Sequence, residues 1–176
     1  QYVQKQFNQV GIGRNDRVAL VLPNSAEMAS SFITVACCCT SAPLNPSYRA
    51  DEFEFYLNDL NAKALVVEAG SSSPAVAVAA KMGIALIEIE PTPQSGAGTF
   101  TLNMNGLAHT TPEHPGAAQA DDVALVLHTS GTTSRPKIVP LTHRNVSASA
   151  QNIAKSTKFS SSDRGLNVMP LFHIHG

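Results

Sequence analysis

Short apolar runs alternate with segments of helical periodicity through the first 90 residues, and this alternation limits the possible folds more than any other feature of the sequence. Each predicted strand is an apolar run bounded by turn-forming residues, and these runs are residues 17–22, 64–68 and 84–89. The predicted helices are residues 2–10, 24–39, 49–60 and 73–82. Strands that alternate with helices favour parallel pairing, with helices on the faces of the sheet. The sequence therefore predicts an α/β fold of mostly parallel sheets flanked by helices.

Two of the predicted helices carry local signals. Asn24 is followed three residues later by Glu27, a spacing close to that of a capping box, which predicts a helix start at Asn24. In the helix at 49–60, apolar side chains recur at intervals of three and four residues and form one face. They are Phe53, Tyr56, Leu57 and Leu60.

The composition excludes several classes of function. Hydrophobic residues make up 43% of the chain and charged residues 14%, as in a globular α/β protein. The formal net charge is −1, so we expect no nucleic-acid partner. No apolar run approaches the roughly 20 residues that span a bilayer, so no membrane span is expected. Cys37, Cys38 and Cys39 match no metal-binding spacing and indicate small apolar side chains in a reducing compartment.

A polar loop follows the apolar run at residues 123–127. Its sequence is His128-Thr129-Ser130-Gly131-Thr132-Thr133-Ser134-Arg135-Pro136-Lys137. Backbone N–H groups and hydroxyls of such a loop can converge on one point, and Lys137 adds a positive charge, which suits the phosphates of a nucleotide. A surface turn rich in Ser and Thr with an incidental lysine is the alternative. Pro136 and Ile138 flank the lysine where a Walker A motif has Gly and Ser or Thr, which disfavours a switch or motor NTPase.

The strand–helix alternation breaks between residues 91 and 120, where prolines and glycines recur. We expect a long connecting segment there, with one short strand near residues 100–102. The predicted division is a first α/β lobe at residues 1–90, the connecting segment at 91–120 and the start of a nucleotide-binding lobe at 121–176.

The last part of the chain is predicted to contain strands at residues 138–141 and 166–169 and a helix at 143–158 with Thr142 as its N-cap. The chain enters a helix midway at Gln1 and ends at Gly176 without a polar taper. We therefore expect a piece of a longer protein, truncated at both ends.

Several motifs, in order, resemble those of the AMP-forming acyl-CoA synthetases. This adenylate-forming superfamily includes 4-coumarate–CoA ligase, luciferase and peptide-synthetase adenylation domains. The resemblance covers nearly the whole chain and rests on the loop and on residues 16–20, 22–25, 43–46, 54–57 and 170–176. The loop and the last motif, PLFHIHG, look most like the oxalate–CoA ligase branch.

The resemblance implies a two-step reaction with ATP, Mg²⁺ and CoA. The carboxylate of an acid attacks the α-phosphorus of Mg·ATP, giving an acyl-adenylate and pyrophosphate. The CoA thiol then displaces AMP and forms a thioester. By the same resemblance, the residues that would bind the ATP phosphates are Thr129, Ser130, Gly131, Thr132, Thr133 and Lys137. Ser134 and Ile138 depart from the glycines that most members have at these positions.

The resemblance also places His173 beside the acyl pocket, whereas the alternative is a structural histidine at the Pro170 turn. On a strand, His175 would share one face with His173, and both could hydrogen-bond a small dicarboxylate such as oxalate. His128 is predicted only to end its strand. No catalytic residue and no metal ligand are predicted in this chain, because the family's acidic motif, ribose-binding aspartate and catalytic lysine lie downstream.

The sequence thus predicts part of an AMP-forming acid–CoA ligase that acts on oxalate. A 4-coumarate-like or medium-chain acyl-CoA ligase is the first alternative. A non-catalytic nucleotide-binding lobe and an adenylation domain that serves a tethered carrier are the others. The expected partners are a small carboxylic acid, ATP and CoA, and the branch implies a cytoplasmic or peroxisomal location.

Overall fold

The computed structural model, which describes residues 1–129, 136–174 and 176, contains a seven-stranded sheet with helices on both faces. The strands are β1 (Arg17–Val21), β2 (Thr40–Pro43), β3 (Ala64–Glu68), β4 (Ala85–Pro91), β5 (Phe100–Asn103), β6 (Val123–Thr129) and β7 (Lys137–Thr142). The helices are α1 (Tyr2–Gln9), α2 (Ala26–Ala36), α3 (Ala50–Asp59), α4 (Pro74–Met82) and α5 (His143–Thr157).

The spatial order of the strands is β5-β4-β3-β1-β2-β6-β7. The inner five strands are paired in parallel, and β5 and β7 are added antiparallel at the two edges. The predicted α/β class with mostly parallel pairing is confirmed. Because β6 pairs with β2, residues on both sides of the predicted connecting segment share this sheet, and the predicted division into lobes stays a prediction.

The alternation of side chains along β1 separates two cores, one on each face of the sheet. Val18 and Leu20 pack with α1 and α2, whereas Ala19 and Val21 pack with α3 and α4. Every one of these four side chains is at most 3% exposed. The central strand is therefore apolar throughout because helices cover both of its faces.

Most of the predicted elements are confirmed with shifts of one to three residues at their ends. The helix predicted at 143–158 is α5, and Thr142 is its N-cap, accepting a hydrogen bond from the N–H of Asn145 at 3.2 Å. The strand predicted at 166–169 is wrong. Leu166 and Val168 are 88% and 80% exposed, and in the described part of the chain no neighbouring strand pairs with them, so the apolar run has no ladder to join.

The predicted start of the second helix is also wrong. Ser25 is the N-cap of α2, and its Oγ accepts a hydrogen bond from the N–H of Met28 at 3.2 Å. The Oδ1 of Asn24 instead accepts from the backbone N–H of Leu171 at 2.9 Å. Asn24 and Ser25 both have side chains that can cap a helix. The oxygen of Asn24 accepts from Leu171, and Ser25 caps α2.

The described residues contain neither a helix that could cross a membrane nor a cluster of metal-binding side chains. No helix among the described residues is both long and apolar enough to cross a bilayer. Within the same residues, no group of three or more His, Cys, Asp or Glu side chains comes close enough to hold a metal ion. All three cysteines carry free thiols, and Cys38 and Cys39 are buried in the core.

The buried carboxylate of Asp122 connects the loop between α1 and β1 to the residues just before β6. Asp122 is 6% exposed. It accepts hydrogen bonds from Arg14 Nε at 2.7 Å, from Asn15 Nδ2 at 2.9 Å and from the N–H of Gln119 at 2.6 Å. These donors, the guanidinium of Arg14 first, lower the pKa of Asp122 from 3.8 to about 2.

This lowered pKa predicts a loss of stability in acid. Because the pKa of Asp122 is lower in the folded state, its stabilisation is complete above about pH 4 and disappears as the pH falls toward about 2. We expect a loss of about 1–2 kcal/mol over this range, reduced from the full shift because Arg14 is partly exposed to solvent.

The measurement is thermal unfolding as a function of pH, followed by circular dichroism. Asp122→Asn keeps the shape of the side chain but does not titrate, so its melting temperature should fall less steeply in acid than that of the wild type. Equal slopes for the two proteins would contradict the prediction.

Candidate functional site

A cleft of about 530 Å³ opens at the carboxyl ends of β2 and β6. This edge of a parallel sheet is where α/β proteins bind ligands, and the volume lies in the range of small-molecule sites. The cleft is lined from four parts of the chain, by Pro43, Leu44, Asn45, Tyr48, Leu127, His128, Thr129, Val139, Leu141, Phe172, His173 and Ile174. The topology therefore brings Thr129, from the predicted nucleotide-binding set, and His173, from the predicted acid-binding pair, to one cleft.

Thr129 and Lys137 are the two described members of the predicted nucleotide-binding set. They form the last pair in the β6–β7 ladder, and Thr129 Oγ1 donates to the carbonyl oxygen of Lys137 at 3.5 Å. The side chain of Lys137 is exposed and forms no ion pair with any described residue. The other members, Ser130, Gly131, Thr132 and Thr133, lie outside the described residues.

His173 lines the cleft from a turn. Its N–H donates to the carbonyl oxygen of Pro170 at 3.0 Å, so residues 170–173 form a turn in place of the strand that the sequence analysis assumed. The predicted strand, on which His173 would share one face with His175, is therefore wrong at His173. His175 lies outside the described residues, and its contribution to an acid-binding site stays a prediction.

Asn24 connects the start of α2 to the turn that carries His173. Its hydrogen bond to the N–H of Leu171 spans 147 positions in the sequence. For the acid–CoA ligase that the sequence predicts, Asn24→Ala should remove this restraint and raise the KM for the acid about three- to tenfold, with less effect on the KM for ATP, because the loss of one exposed hydrogen bond is a modest change. Asn24→Asp keeps an acceptor oxygen and should retain most of the affinity.

The measurement is steady-state kinetics of the full-length protein with the acid and ATP varied in turn. Asn45→Ala is a poor control because Asn45 lines the cleft, so Asn105→Ala, in an exposed turn, is the matched control. An unchanged KM for the acid in Asn24→Ala would contradict this role.

His128 does more than end its strand. Its side chain is 7% exposed, and Nε2 lies 2.9 Å from Asp59 Oδ2 at the end of α3. The imidazole meets the ring of Tyr56 edge-on, with centroids 4.7 Å apart, and Tyr56 stacks on Tyr48 at 4.7 Å. This cluster of Tyr48, Tyr56, Asp59 and His128 was not predicted, because neither helical periodicity nor strand patterning indicates that α3 contacts β6.

The electrostatics of the cleft favour anionic or neutral ligands. Among the described lining residues no carboxylate occurs, and the titratable side chains are Tyr48, His128 and His173. Burial, followed by the hydrogen bond to Tyr56, raises the pKa of Tyr48 well above its usual value, so the phenol stays neutral. A negatively charged phosphate or carboxylate can therefore enter this part of the cleft without meeting a like charge.

The family model described as "AMP-binding enzyme" matches residues 5–176. The chain belongs to the AMP-binding enzyme family. The matched residues include every residue that lines the described cleft.

Curated relatives carry the names of CoA ligases. A probable CoA ligase of Humulus lupulus is 42% identical over 169 residues, which is 94% of this chain and 32% of the relative. Oxalate–CoA ligases of Saccharomyces cerevisiae and Arabidopsis thaliana are each 40% identical, over 93% and 96% of this chain and 34% and 33% of their own lengths. The chain thus spans about a third of the length of the curated relatives it matches.

Solved structures share the fold. ATP-bound MatB from Rhodopseudomonas palustris matches with a TM-score of 0.76 at 24% identity, over 99% of this chain and 34% of that chain. A long-chain-fatty-acid–CoA ligase from Archaeoglobus fulgidus matches with a TM-score of 0.73 at 28% identity, over 98% and 35%. The sheet and its helices therefore have the fold of about a third of each of these two structures.

Proposed function

We propose that the protein containing this chain is an ATP-dependent acid–CoA ligase. In the first step a carboxylate oxygen of the acid forms a bond to the α-phosphorus of ATP, and the bond to pyrophosphate breaks. In the second step the thiolate of CoA attacks the acyl carbon, and AMP leaves. The observation that supports the proposal is the cleft at the carboxyl ends of β2 and β6, which is lined by Thr129 and His173 in a chain that the AMP-binding enzyme family model matches over residues 5–176.

The residues proposed to bind ATP are Thr129, Ser130, Gly131, Thr132, Thr133 and Lys137. The first step builds negative charge on the departing pyrophosphate, so donors and a cation fixed near the phosphates lower its barrier. Lys137 is proposed as that cation, since it is exposed and pairs in the ladder with Thr129, which lines the cleft. Mg²⁺ is proposed to enter with ATP as Mg·ATP, and CoA is the second co-substrate.

The proposed acid is oxalate, with His173 and His175 as its hydrogen-bonding partners. Two curated relatives at 40% identity that are named oxalate–CoA ligases support this choice. A 4-coumarate-like or medium-chain acid is the second candidate, and the apolar residues Leu127, Val139 and Phe172 in the cleft lining favour it. The proposed partners of the ligase are then small molecules. The proposed location is cytoplasmic or peroxisomal, as the resemblance to the oxalate–CoA ligase branch implies.

The experiment is acid-dependent ATP–pyrophosphate exchange by the full-length protein, with oxalate, 4-coumarate and octanoate compared. Exchange with oxalate alone supports the proposed acid. Exchange only with 4-coumarate or octanoate keeps the ligase and overturns oxalate. Binding of ATP without exchange for any acid would overturn the enzyme in favour of a non-catalytic nucleotide-binding lobe.

A further inference from the structure

The imidazole of His128 contacts α3 through two side chains, Tyr56 and Asp59, and only Asp59 forms a hydrogen bond with it. Asp59 is the last residue of α3, and its carboxylate accepts from Nε2 of His128 at 2.9 Å. A carboxylate has no hydrogen to donate, so Nε2 carries the hydrogen, which fixes the orientation of the ring. Only 7% of the His128 side chain is exposed, so an unpaired N–H on this ring is unfavourable.

The two strands β6 and β7 are held beside the residues of the predicted nucleotide loop, β6 by Asp59 of α3 and β7 by the core. His128 pairs with Ile138 in the ladder, and Thr129 pairs with Lys137 in the next position. Ile138 packs against the core cluster that contains Phe53 and Leu57 of α3. The hairpin is therefore fixed one residue before Thr129 and one residue after Lys137.

The edge-on contact with Tyr56 supports the same arrangement. The rings of Tyr56 and His128 meet in a T-shaped contact, whereas Asp59 forms a hydrogen bond with the imidazole. An aromatic contact alone permits the ring to turn, whereas the hydrogen bond adds direction. Of the two contacts, only the one to Asp59 can set the rotation of the imidazole.

We propose that Asp59 is a positioning residue for the nucleotide-binding hairpin. It touches no substrate and acts through His128, by fixing the end of β6 from which Thr129 and the following residues extend. Its effect on kinetics rests on the proposed function, because only an enzyme that uses ATP has a KM for ATP to raise. Its effect on the hairpin does not depend on any activity.

The first test is amide hydrogen exchange of the full-length protein, read on peptides from residues 123–142. Asp59→Ala should speed exchange in these peptides about fivefold or more, because the end of β6 loses its anchor. Glu54→Ala is the matched control: Glu54 also lies on α3, but its carboxylate pairs with Lys81 of α4 at 2.9 Å. It should leave the exchange unchanged.

His128→Phe provides a second variant that keeps a ring against Tyr56 and removes Nε2. It should reproduce the faster exchange, and combining it with Asp59→Ala should add nothing further, because both remove the same hydrogen bond. Wild-type exchange in either single variant, additive effects in the double variant, or an equal change in Glu54→Ala would each overturn the proposal.

The kinetic test uses ATP–pyrophosphate exchange with the acid that supports the fastest reaction. Asp59→Ala should raise the KM for ATP about tenfold and leave the KM for the acid within about twofold, a split that general destabilisation would not produce. Asp59→Asn retains an acceptor oxygen and should recover most of the affinity. An unchanged KM for ATP overturns the positioning role. If the wild type shows no exchange, the proposed function fails, and the hydrogen-exchange result still decides the role of Asp59.

Discussion

Replacing Lys137 by alanine is expected to slow ATP–pyrophosphate exchange about a hundredfold or more. The ammonium group is exposed at the first position of β7, directly across the ladder from Thr129. If it neutralises the pyrophosphate as it leaves, its loss removes stabilisation that is strongest in the transition state. We expect the fall mainly in kcat, with a smaller rise in the KM for ATP.

The measurement is initial-rate exchange by the full-length protein over a range of ATP concentrations. Lys137→Arg keeps the charge but presents a larger planar group, so we expect only partial recovery. Lys5→Ala, an exposed lysine on α1, is the control and should behave as the wild type. A Lys137→Ala protein with at least half of the wild-type rate would contradict the proposed role.

Replacing Phe53 by alanine is expected to lower the free energy of unfolding by about 3–5 kcal/mol. Phe53 is 0% exposed and packs between α3 and the sheet in the same cluster as Leu57 and Val67. Its ring also meets Tyr48 edge-on, with centroids 5.8 Å apart. The change therefore leaves a cavity and removes an aromatic contact beside the cleft.

The measurement is urea-induced unfolding followed by circular dichroism, with Phe55→Ala as the matched control. Phe55 lies on the same helix but is 39% exposed, so its loss should cost about 1 kcal/mol or less. Similar losses for the two variants would contradict the packing that the structure shows.

The parts of the fold that were predictable are those that depend on local periodicity. The apolar run around Val18 and Leu20 predicted a buried strand, and the spacing of Phe53 and Leu57 predicted which face of α3 packs against the core. Such patterns state which side of an element is covered. They do not state what covers it, and the sheet order had to come from the structure.

The missed features all depend on contacts between distant parts of the chain. Asn24 has the right chemistry for a helix cap, but its oxygen is taken by Leu171, and Ser25 caps α2. His128 meets Asp59 across 69 positions, and no local rule connects the two. In the candidate site, the resemblance indicated where ATP would bind, whereas the anchor of the hairpin was visible only in three dimensions.

The position of β2 between β1 and β6 has a consequence for synthesis of the protein. β2 ends at Pro43 and β6 begins at Val123, so at about 5–20 residues per second the ribosome needs about 4–16 s to reach β6 after completing β2. During that interval β2 is an open edge that another nascent chain could pair with. β2 is only four residues long, so it offers few backbone groups with which another strand could pair. Its brevity therefore protects the growing chain until β6 arrives to close the edge.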